Sequence, residues 1–141
     1  MGKPYSIADK VKLAIALLGQ TITADAEGTI VDTVGYDSVG LVLVLHTTTT
    51  ADADNTLEII WQEGDNAALT DAAAIDAADM VAVQGELVNP VIATDTDVTV
   101  YTWKYLGSKR YLRCDVNITG TVSGLYSAYV MLGHPRVAPV S

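Results

Sequence analysis

Along most of the chain, apolar and polar positions alternate with a period of two, the mark of strands with one buried and one wet face. The clearest stretch is Val98–Val116, VTVYTWKYLGSKRYLRCDV. In its first run Val98, Val100, Thr102 and Lys104 share one face, and Thr99, Tyr101, Trp103 and Tyr105 the other. In its second run Tyr111 and Arg113 oppose Leu112, Cys114 and Val116. The Gly107-Ser108-Lys109 turn between the two runs predicts a β-hairpin.

The same reading extends over the rest of the chain. Met1–Asp9 reads as an extended arm. Lys10–Leu18 fits a short helix, with Ser6 and Asp9 as a weak capping box, or a strand running on towards Thr23, and the strand is preferred. Gly28–Val34 and Val39–Thr47 are two strands with Gly35–Ser38 as their turn. The run GLVLVLHT, Gly40–Thr47, is nearly continuous in apolar character, as in a central strand covered on both sides. Thr56–Glu63 alternates again. Ala67–Asp79 is Ala-rich and predicts one or two short helical turns capped by Thr70 or Asp71. Met80–Val83 and Gly85–Ile92 read as edge strands, the latter bent at Asn89-Pro90. Leu125–Leu132 is the last strand, and Gly133–Ser141, with two prolines, reads as a second arm.

Roughly eight to ten short strands at this spacing predict an all-β fold, an antiparallel β-sandwich or jelly roll. Arms at both ends and a short helical insertion complete it. The predicted divisions are an arm at 1–12, the sandwich at 13–132 and an arm at 133–141. With 141 residues, half of them hydrophobic, the chain has the size of one domain with its own core.

Charge narrows the possibilities. The net charge is −9, and no Lys or Arg occurs from Leu13 to Trp103. Nucleic-acid binding is therefore not expected, because it rests on neutralising phosphates with cations. No membrane span is expected either, since the apolar run Leu13–Leu18 is short and follows Asp9. The same observation predicts a chain made and used without secretion, which leaves the Asn117-Ile118-Thr119 acceptor pattern with little meaning.

No constellation points to a reaction. Cys114 is single and reads as a small buried hydrophobe, and neither His46 nor His134 is spaced to activate it. Asp52, Asp54 and Asn55 suggest a calcium loop, but no Gly or Glu falls at the offsets such a loop needs. Asp71, Asp76 and Asp79 do not converge with a partner as paired catalytic carboxylates would. No enzyme activity, metal or cofactor is expected. The one basic and aromatic island, Trp103 to Arg113, directs attention to binding. Trp103, Tyr105 and Tyr111 read as core aromatics or interface anchors, and Lys109 and Arg110 as solvated turn residues or anchors.

Several segments carry a likeness to a known family. They are Tyr105-Leu-Gly-Ser-Lys109-Arg110-Tyr111-Leu-Arg113, the ending Gly133-His134-Pro135-Arg136-Val-Ala-Pro139, the Gly28–Val44 strand pair, and Leu57–Gly64 before an acidic loop. In these the chain resembles the capsid decoration, or cement, proteins of tailed bacteriophages, small β-sandwich head proteins. The resemblance implies a virion protein made in the host cytoplasm that binds the outside of the capsid and bridges subunits of the phage major capsid protein. It also implies self-association, as homo-trimers or homo-dimers. The interface residues it implies are Pro4, Tyr5, Trp103, Tyr105, Lys109, Arg110, Tyr111, Arg113, His134, Pro135 and Arg136. Another phage head or tail role fits the same pattern. A third class of function is a carbohydrate- or surface-binding module, with Trp61, Trp103 and Tyr101 as a stacking platform.

Overall fold

A computed structural model describes residues 10–85, 88–95 and 97–136. They form β1 (Val11–Ile22), β2 (Ala26–Glu27), β3 (Val31–Asp32), β4 (Tyr36–Thr49), β5 (Thr56–Gly64), β6 (Ala73–Ala74), β7 (Met80–Gln84), β8 (Val91–Ile92), β9 (Thr99–Tyr105), β10 (Tyr111–Thr119) and β11 (Ser123–Pro135). Every pairing is antiparallel. The first sheet has the order β1-β11-β4-β9-β7. The second has β2-β10-β5-β6, with β3 also on β10 and β8 also on β5. The two sheets pack face to face as a β-sandwich.

Alternation builds the core directly. Leu41, Leu43 and Leu45 of β4 point inward beside Tyr101 and Trp103 of β9 and Tyr126, Ala128 and Val130 of β11. The second sheet answers with Leu57, Ile59 and Trp61 from β5 and Leu112, Cys114 and Val116 from β10. Trp61 and Trp103 meet edge to face across the two sheets at 6.3 Å, and Tyr101 stacks on Trp103 at 5.8 Å. These large rings supply much of the buried apolar area of a chain that has no Phe.

The predicted hairpin does not form. Its two arms are strands of different sheets: β9 lies between β4 and β7, and β10 lies between β5 and the short strands β2 and β3. Residues 106–110 instead cross from one sheet to the other, held at the start by Leu106 N–H donating to Asp79 C=O at 2.7 Å. Alternation reports which side of a strand is buried, and both arms of a hairpin or of a crossover bury one side, so the pattern is the same in either case. The predicted Gly28–Val34 and Val39–Thr47 pairing fails for the same reason: β3 pairs with β10, and β4 with β11 and β9. The turn there does lie at Gly35, which adopts φ +88 and carries no side chain to strain.

The helical insertion is a single 3₁₀ turn, Ala77–Asp79, and its cap is Asp76, whose side chain accepts from Ala78 N–H. Upstream of it, side chains satisfy the backbone in place of helix bonds. Asp71 accepts from the N–H groups of Asp65 and Asn66, and Asn66 accepts from Ala68 N–H. Ala73 and Ala74 pair with Glu63 and Gln62, so the Ala-rich composition yields to a sheet edge. The ambiguous stretch resolves as strand, β1, Val11–Ile22, so the arm predicted at 1–12 gives way to the sheet at Val11. The last strand runs past Leu132 to Pro135, which stands opposite Tyr36 at the ladder's end, so the predicted second arm begins inside β11. Of the edge stretch Gly85–Ile92, Val91 and Ile92 pair with Glu58 and Leu57.

Candidate functional site

The sequence predicts that the run Gly40–Thr47 is covered on both sides, yet among the described residues only one side is fully buried. Val42 and Val44 point away from the core of the sandwich, in register with Tyr129 and Ser127 of β11 and with Thr102 and Val100 of β9. Beyond them on the same outer face stand Leu13 and Ile15 of β1, opposite Met131 and Tyr129, and Val81 of β7, opposite Lys104. Leu13 is 57% exposed, Ile15 49% and Val81 43%. The five strands of this sheet hold one acidic residue, Asp37 at the start of β4, and it is ion-paired with Arg136. The face is therefore largely apolar across five strands, with Lys104 on it and Lys10 at the rim of its hollow.

The face is not flat. Leu13 and Ile15 raise a ridge along β1. Beside it lies a hollow of about 520 Å³ whose lining includes Gly40, Thr102, Lys104, Met131, Gly133 and Val83. Gly40 keeps the floor low: a Cβ there would come within 3.2 Å of the Met131 side chain.

The outer face of the second sheet is of the opposite kind. Arg113 lies over Asp115, Glu27 and Gln62, its Nε 2.9 Å from Asp115 Oδ1 and its Nη2 donating to Gln62 Oε1 at 2.7 Å. Glu27 Oε2 is 3.5 Å from Nη1. Asp115 also accepts from Gly28 N–H. Burial raises the Asp115 carboxyl above its ordinary value, and the Arg113 charge opposes that.

A third region, at one end of the sandwich, collects most of the basic and aromatic island. Tyr105 is buried, and its hydroxyl donates to Glu63 and accepts from Lys109 N–H. Burial first, and then the Glu63 carboxylate, push that phenol well above its usual range. Lys109 Nζ is 2.6 Å from Asp65 Oδ2, which holds the ammonium charged to higher pH than usual. Arg110 grips Asp32 with Nε and Nη2, each at 2.8 Å, and lies 5.0 Å over the ring of Tyr111. The hydrogen bond from Arg110 keeps the Asp32 carboxyl below its ordinary value. Arg136 reaches the same end, its N–H donating to Gly35 C=O and its Nε to Asp37, both at 2.9 Å. A polar hollow of about 290 Å³ lies between the Gly35 turn and the crossover, with Tyr105, Lys109, Arg110 and Arg136 in its wall.

The predicted interface residues thus divide. Lys109, Arg110, Tyr111, Pro135 and Arg136 come together at this end, and Tyr105 supports it from within. His134 is exposed beside the apolar hollow with a left-handed backbone, φ +49. Trp103 is core, and Arg113 belongs to the second sheet's outer face. Pro4 and Tyr5 lie outside the described residues. The stacking platform is not formed, because Trp61, Trp103 and Tyr101 are all buried. Cys114 is fully buried and its thiol pushed far up by burial. Asp52 closes its own loop, accepting from the N–H groups of Asp54 and Asn55 and from the Asn55 amide. Among the described residues no group of three or more His, Cys, Asp or Glu side chains is placed to hold a metal ion.

Sequence reasoning missed the outer face of the first sheet. Two signals for it were present: the apolar run Gly40–Thr47, and the stretch from Leu13 to Trp103 without Lys or Arg. Comparison with models of protein families and with curated proteins returns no match.

Proposed function

We propose that this chain is a non-enzymatic structural protein of a phage virion, binding the outside of the capsid and stabilising it by bridging major capsid subunits. The observation that supports a role in an assembly is the apolar outer face of the five-stranded sheet, which the described residues leave open. Exposed apolar surface is costly, and a contiguous patch of this extent marks a surface made to be covered by protein. The rest of the molecule suits a rigid component of an assembly. Two sheets lock through large aromatic rings, and the charged groups at the crossover end are neutralised in pairs. Exposed Arg110, partly exposed Tyr111 and Arg136 at that end are of the residue types that anchor protein interfaces, which makes the end a suitable contact for the shell.

Co-sedimentation of the purified chain with expanded, DNA-free heads of the phage that encodes it tests the reading. Saturable pelleting with the heads, together with a higher temperature for head disruption, is the expected result. A chain that stays in the supernatant and leaves the heads unchanged would overturn it.

A further inference from the structure

We propose that the outer face of the first sheet is a self-association surface, on which a second copy of this chain seats about a two-fold axis. The inference rests on the assembly reading above. It assigns the sheet face to the second copy and leaves the Arg110–Arg136 end for the shell.

Three observations favour a second copy over other occupants. The first is size. Five strands about 4.8 Å apart and about 7 residues long give a projected area on the order of 600 Å². A specific interface buries roughly 600–1,000 Å² per partner, so the face reaches the lower end of what a stable pair needs. The second is charge. Copies of a chain with a net charge of −9 repel one another over most of their surface. The outer face of this sheet carries no carboxylate among the described residues, so two copies approach there without carboxylate repulsion, and Lys104 and Lys10 set cations on each face against the partner's net negative charge. The third is shape. A two-fold contact brings the same patch of both copies together, so a patch that fits itself needs a projection and a matching recess side by side. Here the Leu13–Ile15 ridge of β1 runs beside the hollow of about 520 Å³ that Gly40, Thr102 and Met131 line. An axis between β11 and β4 lays each ridge in the other copy's hollow and covers Val42 and Val44, completing the burial that the sequence of β4 predicts.

The test is the mass of the full chain in solution by sedimentation velocity, from about 1 to about 100 µM, because self-association follows concentration. The wild type is expected at twice its 14.9 kDa subunit mass at the upper end of that range. Val42→Glu, which puts a carboxylate in the centre of each face, is expected to fall to 14.9 kDa throughout. Val91→Ser, which alters an exposed apolar residue of the second sheet, is expected to keep the doubled mass. Circular dichroism checks that each variant is folded, and Ile15→Lys, at a half-exposed edge position, replaces Val42→Glu if that variant is not. A wild type that stays at 14.9 kDa, or a folded face variant that keeps the doubled mass, overturns the proposal; a tripled mass overturns the two-fold seating. A single copy that still pellets with heads defeats this inference alone, whereas a pair that ignores heads defeats only the capsid reading.

Discussion

The two outer faces of the sandwich arise from the same period-two pattern and end as opposites. On the second sheet, β10 turns Arg113 and Asp115 outward, and they join Glu27 and Gln62 in a cluster whose charges satisfy one another. On the first sheet, β4 turns Val42 and Val44 outward, and among the described residues only their neighbours on the same face shield them, leaving both half-buried. Alternation thus places residues on faces, but the chemistry of the outward half decides what a face is for. A solvated face needs polar groups that water or neighbours can satisfy, and a face of Val, Ile, Leu and Met needs another surface against it.

Breaking the polar face has the largest predicted effect. Arg113→Ala leaves the mostly buried Asp115 carboxylate without its cation, and removing one partner of a buried pair costs about 3 kcal/mol. Urea denaturation should show that loss at neutral pH, with part of it recovered as pH falls. The sign follows from Asp115, whose carboxyl is raised in the folded state, so protonation there favours the fold. An unchanged midpoint would mean that the cluster is solvated enough to be dispensable.

A smaller effect is expected at the crossover end. Asp32 has a lowered pKa in the folded state, so its ion pair with Arg110 contributes stability above the ordinary carboxylate range and loses it as pH falls through the folded value. Asp32→Asn should lower the melting temperature by about 1–2 °C near pH 7, as expected for an exposed pair. The difference from wild type should vanish in acid. A difference that persists at low pH would assign the effect to packing rather than charge.

The smallest effect belongs to the apolar face. Ile15→Thr should change the subunit's denaturation free energy by no more than about 0.5 kcal/mol in dilute solution, because Ile15 is already half exposed there. Its counterpart on the inner side of the same strand, Leu17→Thr, would show the contrast directly, since Leu17 is 3% exposed. Equal losses at the two positions would mean that the outer face is covered even in dilute solution, as in a pair that does not dissociate.

The sequence by itself determined the fold class, most strand positions and the inward residues of the core. Hydrophobic alternation is local, and each strand carries its own copy of it, as Leu41, Leu43 and Leu45 and their neighbours Tyr101 and Trp103 show. It also placed Cys114 in the core, and it marked β4 as a strand that wants cover on both sides. The tertiary structure alone decided which strands pair. Val98–Val116 is split between two sheets because both edges of β9 are taken, by β4 and β7, and no local pattern encodes which edges are free. It also decided what the basic island becomes. Lys109, Arg110, Arg113 and Arg136 meet Asp65, Asp32, Asp115 and Asp37, and three of those four aspartates lie more than forty residues away in sequence. Pairing across such distances is a property of the closed sandwich. The open apolar face is the joint product: local alternation supplied its residues, and the arrangement of strands left them in one surface.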